Sequence, residues 1–158
     1  MNLVRRVLCH PVLALLFRLY IGGVFVAAGM NKIIYTGEFA HTIASYRLVP
    51  YWGVNLMAIW LPWFEFLAGA MLIAGLRVRP MALAIAGMLA WFCLAVGINL
   101  LRGTPIDCGC FSSMEDPMSV MTLLRDLLWL GMALHVYFFD RWLHLERSFS
   151  PKLKDLPQ

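Results

Sequence analysis

Four long runs of apolar residues dominate this sequence and constrain its fold more than any other feature. They cover residues 12–34, 54–76, 81–101 and 118–139. Each run is close to the roughly 20 residues that a helix needs to cross about 30 Å of hydrocarbon. Charged residues make up 14% of the chain, against about 25% in ordinary soluble domains. The sequence therefore predicts an all-α fold, an integral membrane four-helix bundle, with the whole chain as a single membrane domain.

The first run follows a basic start that is similar to a signal peptide, with Ala27, Ala28 and Gly29 as a candidate cleavage site. Arg18 interrupts the apolar core that a signal peptide needs. We therefore expect the first run to be retained as a membrane span.

Lys and Arg residues are distributed unequally over the two sides of such a bundle. One side has eight basic residues: Arg5, Arg6, Arg77, Arg79, Arg141, Arg147, Lys152 and Lys154. The opposite side has only Arg47 and Arg102 in its loops and Lys32 at its membrane edge. Because basic loops stay in the cytoplasm, we expect a multi-pass membrane protein with both termini cytoplasmic and the loops of the other side facing the periplasm or exterior. This asymmetry accounts for the net charge of +4, so the lipid bilayer is expected as a partner and nucleic acid is not.

The periplasmic loop between the first and second spans predicts a short amphipathic helix at the membrane interface. Its apolar residues recur at helical spacing and its charged residues lie opposite them: Phe39, Ile43, Tyr46 and Val49 against Glu38, His41 and Arg47.

Small residues and turn signals predict how the spans pack and end. Helices in lipid associate through small residues that let their backbones approach, and candidates here are Gly22, Gly23, Gly29, Gly69, Ala82, Ala86 and Ala90. Gly75 before Pro80 predicts the end of the second span, and Asp116 with Pro117 predicts an N-cap for the fourth.

Ionisable residues within the spans are costly unless they are paired, so each is a candidate for function or for an essential structural pair. They are Arg18, Lys32, Glu65, Arg125 and Asp126. Counting about 1.5 Å per residue, Glu65 and Arg125 lie at similar depths, and we expect them to form a buried pair that Asn99 joins. Arg125 and Asp126 point about 100° apart on a helix and are expected to serve different neighbours. The pair has either an architectural role or a role in proton transfer.

The segment "RGTPIDCGCFSSMEDP", residues 102–117, places Cys108 and Cys110 one residue apart on the expected periplasmic side, where disulfides form and persist. Gly109 supplies the backbone freedom that so small a ring needs. Such a bond would be strained and easily reduced, and it would add little stability because it closes a very short loop. Cys9 and Cys93 are interpreted as small apolar fillers.

Other interpretations of the Cys-Gly-Cys segment stay open. A zinc site needs further soft or nitrogen ligands, for which only His41 and Cys93 are available, so no metal site is predicted. Cu(I) is satisfied by two thiolates.

These motifs together resemble the DoxX-like superfamily, and most closely its branch of MauE/DoxX redox-associated membrane proteins. The resemblance runs from about residue 17 to 139 and is carried by "GGVF", "GMNK", "YRLVP", "LPWFE", "NLLRGTPIDCGCF" and "LLRD". It implies an inner-membrane bundle whose cysteine pair faces the periplasm. It also implies that the protein works beside a thioredoxin-like or other thiol-containing protein and that its redox chemistry is linked to membrane quinone. It also implies a polar ring beneath the pair, formed by Lys32, Glu65, Asn99, Arg102 and Arg125.

The leading hypothesis is a thiol-disulfide oxidoreductase of the inner membrane. In it, Cys108 and Cys110 exchange electrons with the periplasmic partner, and Glu65, Arg102 and Arg125 assist them. A quinone would be the cofactor, bound near Lys32, Glu65, Asn99 and Arg125. One alternative is a non-catalytic subunit or assembly factor within a membrane complex, and another is a metal-handling or small-molecule transporter.

Overall fold

The computed structural model describes residues 11–102 and 120–140. They form five helices: α1 (Pro11–Ile34), α2 (Thr36–Ser45), α3 (Tyr51–Ala74), α4 (Val78–Arg102) and α5 (Val120–Phe139). All except α2 are long and apolar enough to cross a membrane. The prediction of an all-α membrane bundle of four spans is therefore confirmed, and the chain is a multi-pass membrane protein.

Local chemistry sets the ends of α3. The helix begins at Tyr51, directly after Pro50, which is slightly earlier than the apolar run indicates. It ends at Gly75, whose φ of 72° is in the left-handed region that favours glycine. Leu76 N–H donates to the carbonyl of Met71 and Gly75 N–H donates to that of Leu72, which together form a Schellman motif. The expected stop at Gly75 is confirmed, and only residues 75–77 separate α3 from α4.

The four spans alternate in direction, so the ends of α1 and α4 and the starts of α3 and α5 share one end of the bundle with α2. We call this the α2 end. Around the bundle, α1 contacts α3 and α5, and α4 contacts α5 and α3. A core fills the centre, with Ile21, Leu72, Ile85, Ala133 and Val136 among its buried residues.

Glycines bring α1 and α3 into backbone contact. A Cβ added at Gly29 would lie 2.8 Å from the Phe66 nitrogen, and one added at Gly69 would lie 2.8 Å from the Gly22 oxygen. The small-residue prediction is thus confirmed for Gly22, Gly29 and Gly69. Gly23 differs, because a Cβ there would meet no atom within 4 Å.

The predicted amphipathic helix corresponds to α2. Phe39 and Ile43 are buried and pack with Val54 and Ala58 of α3, whereas Glu38 and His41 are exposed. Its apolar face therefore packs on the protein. The expected N-cap at Asp116 and Pro117 lies outside the described residues.

Candidate functional site

A cavity of about 570 Å³ lies within the bundle and is lined by residues of all five helices. Its walls are mainly apolar, with a high share of aromatic rings: Phe25, Phe39, Phe64, Trp91, Phe92 and Trp129. Three ionisable side chains also line it, namely Lys32, Glu65 and Asp126. An apolar space with a few convergent polar groups is the usual form of a small-molecule site.

The first polar feature of the cavity is an ion pair between α1 and α3. Lys32 Nζ lies 2.8 Å from both carboxylate oxygens of Glu65, and both residues are buried. Lys32 Nζ also lies 4.9 Å from the centre of the Phe39 ring, within the range of a cation–π contact. The aromatic ring of α2 thus covers the pair.

The glycine contact explains why these two residues meet. Gly29, one helical turn before Lys32, packs against Pro62 and Phe66. These two residues precede and follow Glu65 in α3. Helical side chains lean toward the N-terminus of their own helix. Because α1 and α3 run in opposite directions, the two side chains lean toward each other.

This pairing corrects the expectation that Glu65 pairs with Arg125. Depth alone made those two residues compatible, but Lys32 lies on the helix that packs face to face with α3. Arg125 instead lies with its guanidinium carbon 4.7 Å from the centre of the Trp129 ring.

The second polar feature is Asp126 of α5, which is 1% exposed. Its Oδ1 lies 3.4 Å from Arg125 Nε, so the expectation that these neighbours serve different partners was wrong for this contact. Within residues 11–102 and 120–140, its Oδ2 has no hydrogen-bond partner. Lys32 lines the same cavity. Burying a carboxylate oxygen without a hydrogen bond costs free energy, which favours the binding of a hydrogen-bond donor at this oxygen.

The other predicted site residues are not at the cavity. Asn99 is buried, and its Nδ2 donates to the carbonyl of Ala95 at 2.9 Å within α4. Arg102 is the exposed last residue of α4. Of the expected ring, Lys32 and Glu65 line the cavity, together with Asp126, which the sequence indicated as an ionisable residue within a span but did not assign to the ring. Cys108 and Cys110 lie outside the described residues.

A second buried ion pair lies toward the opposite end of the bundle. Arg18 Nη1 of α1 donates to Asp140 Oδ2 at 3.0 Å, just after α5 ends. The sequence singled out Arg18 but missed Asp140, which follows the last apolar run and resembles an ordinary interfacial residue. A lone buried arginine in the inner half of α1 was the available signal that a carboxylate had to be near.

The described residues also bear on metal binding. They contain no group of three or more His, Cys, Asp or Glu side chains that could hold a metal ion. Cys93 is a buried free thiol in α4.

Comparisons with known proteins extend over most of the chain. A sequence model of the family "Methylamine utilisation protein MauE" matches residues 10–139. The chain is 33% identical over 131 residues to a methylamine utilization protein MauE of Paracoccus denitrificans. The aligned region covers 82% of this chain and 70% of that protein. It is 36% identical over 131 residues to the one of Methylophilus methylotrophus, covering 80% and 68% of the two chains. No solved structure matches significantly.

Proposed function

Because this chain belongs to the MauE family, we propose that it is an inner-membrane thiol-disulfide redox protein of a methylamine utilisation system. Cys108 and Cys110 exchange electrons with a periplasmic thiol partner of the thioredoxin-like kind, within a membrane complex. The DoxX-like resemblance of the sequence is part of this proposal.

The observation that carries the proposal is the cavity with its buried charges. It is lined by α4 and α5, and the connection between these two helices contains both cysteines. In this proposal, the segment that contains the redox pair joins two helices that line a space able to hold a lipophilic electron carrier.

The residues of the cavity fit a quinone. Its aromatic walls suit a flat ring, and the Lys32 ammonium, held by Glu65, supplies a cation beside an apolar space. A bound quinone would supply the acceptor for the two electrons and two protons that leave two thiols as they form a disulfide.

The proposed reaction at the cysteines is a thiol-disulfide exchange. A thiolate of the partner attacks one sulfur of the Cys108–Cys110 disulfide, and its second thiolate resolves the mixed disulfide. The partner leaves with a new disulfide, and Cys108 and Cys110 are left as two thiols. In this proposal Arg102, the last residue of α4, assists the cysteines by its positive charge, since a positive charge near a cysteine favours its thiolate form.

Trapping of the mixed disulfide tests the proposal. In a Cys110→Ser variant the exchange can only run in reverse: the Cys108 thiolate attacks the disulfide of an oxidised partner and displaces one of its sulfurs as a thiolate. Because Cys110 is absent and cannot resolve the mixed disulfide, Cys108 should retain a specific partner as a covalent adduct that dithiothreitol releases. Cys93→Ser is the matched control, because that thiol is buried in α4, and it should give no adduct. If no adduct forms and a Cys108→Ser/Cys110→Ser variant supports growth on methylamine fully, the protein is a non-catalytic subunit or assembly factor.

A further inference from the structure

We propose that the cavity receives its ligand from the bilayer, between α3 and α4, and binds a lipophilic aromatic alcohol whose hydroxyl donates a hydrogen bond to Asp126 Oδ2. This inference rests on the proposed function for the biological identity of the ligand, a hydroquinone. The binding chemistry itself follows from the described residues.

The entrance follows from which lining residues are exposed. Phe64 is 48% exposed and Trp91 is 59% exposed, and Gly87 is exposed as well. These residues lie near the middle of α3 and α4, at the depth of the hydrocarbon. The opening therefore faces lipid tails and admits molecules that dissolve in them.

The polar end of the ligand follows from Asp126. Asp126 lines the cavity, and its Oδ2 is buried without a hydrogen-bond partner in the described part of the chain. Its Oδ1 lies 3.4 Å from Arg125 Nε. A carboxylate oxygen is a hydrogen-bond acceptor, so it selects a ligand with an O–H group. Trp129 and Phe92, which line the same cavity, favour an aromatic ring on that hydroxyl.

Two matched probes test the hydroxyl contact. The protein in lipid nanodiscs is titrated with a 4-alkylphenol brominated on its chain and with the corresponding methyl ether, and quenching of tryptophan fluorescence reports binding. The hydrogen bond to Asp126 should make the phenol bind about tenfold more tightly than the ether. Equal affinities, or tighter binding of the ether, would overturn the inference.

Asp126→Asn sharpens the test without removing the side chain. Arginine only donates hydrogen bonds, so the amide oxygen should turn to Arg125 and the amide N–H group to the cavity. The preference for the phenol should then disappear, while the ether still binds and so reports an intact cavity. Glu38→Gln, the same change on the exposed side of α2, should keep the preference. A preference that survives in Asp126→Asn would contradict the assignment.

Two glycines test the entrance. Gly87 and Gly23 are both exposed helical residues with no atom within 4 Å of an added Cβ, but only Gly87 lines the cavity. Gly87→Leu should slow the association of both probes about tenfold in stopped-flow quenching, without changing their affinity ratio, whereas Gly23→Leu should not. Unchanged association in Gly87→Leu would refute entry between α3 and α4.

The outcomes separate this inference from the proposed function. A phenol preference that depends on Asp126, without any adduct at Cys108, would support the ligand site and reject the redox role. An adduct at Cys108 with equal binding of phenol and ether would do the reverse.

Discussion

Within residues 11–102 and 120–140, two buried ion pairs link segments that are distant in the sequence, and they differ in what surrounds them. Arg18 Nη1 of α1 lies 3.0 Å from Oδ2 of Asp140, the residue after α5. Lys32 and Glu65 join α1 to α3 with both carboxylate oxygens engaged. The second pair borders a cavity together with Asp126, and Arg18 and Asp140 are not among the residues that line it.

The difference shows that burial of charge does not by itself identify a functional site. Both pairs have the geometry that fixes one helix against another. Removing one partner from either should destabilise the protein, whereas replacing both with apolar residues is often neutral. The pair at the cavity has, in addition, a space for a ligand and an incompletely satisfied carboxylate that lines the same space.

The largest expected effect is the loss of one partner from either pair. Lys32→Met and Arg18→Met should each lower the free energy of unfolding by about 3–5 kcal/mol, because a buried carboxylate then loses its cation. Unfolding in mixed detergent micelles measures this. If one substitution were nearly neutral, the two pairs would not be equivalent as structural elements.

A smaller effect is expected where α1 and α3 touch. Gly29→Ala should cost about 1–3 kcal/mol, because the new methyl group meets backbone atoms of Pro62 and Phe66 that cannot yield easily. It should also disturb the Lys32–Glu65 pair and weaken probe binding. Gly23→Ala is the matched control, with open space at its Cβ, and it should be neutral or stabilising. Equal stabilities of the two variants would argue against close backbone contact.

A still smaller energy should couple α2 to the cavity pair. The contact between Lys32 and the Phe39 ring should contribute about 1 kcal/mol. A double-mutant cycle of Phe39→Leu and Lys32→Met isolates it, because the coupling term excludes the apolar burial that Phe39 loses in both backgrounds. A coupling energy of zero would mean that α2 covers the pair without attracting it.

The smallest change in stability is expected when both members of a pair are replaced. Lys32→Met with Glu65→Leu, and Arg18→Met with Asp140→Leu, should each unfold with a free energy close to that of the wild type. Probe affinity should change only in the first variant, because only that pair lines the cavity. An equal loss of affinity in both would remove the distinction between a site and a structural pair.

The spans and α2 could be predicted from the sequence because they depend on local pattern. Apolar runs define the spans, and the spacing of Phe39 and Ile43 defines the buried face of α2. The contact glycines Gly22, Gly29 and Gly69 were also recognisable, since small residues have few other uses in lipid-facing helices.

The partners of the buried charges could not be predicted in the same way. Helices in a membrane are apolar on the lipid side as well as toward the core, so hydrophobic periodicity does not show which face meets which helix. Depth along the span was the remaining criterion, and it allowed Arg125 as a partner of Glu65. The direction in which Lys32 and Glu65 lean, fixed by the glycine contact, decided the pairing.

The short turn at residues 75–77 has a mechanical consequence for the cavity. It connects α3 to α4 at the end of the bundle opposite α2, so the two helices are held close together at that end. A molecule wide enough to separate the two helices should displace most the helix ends that lie farthest from this turn. Arg102 is the last residue of α4 and lies farthest from this turn, so a bulky ligand should shift the end of α4 more than its start.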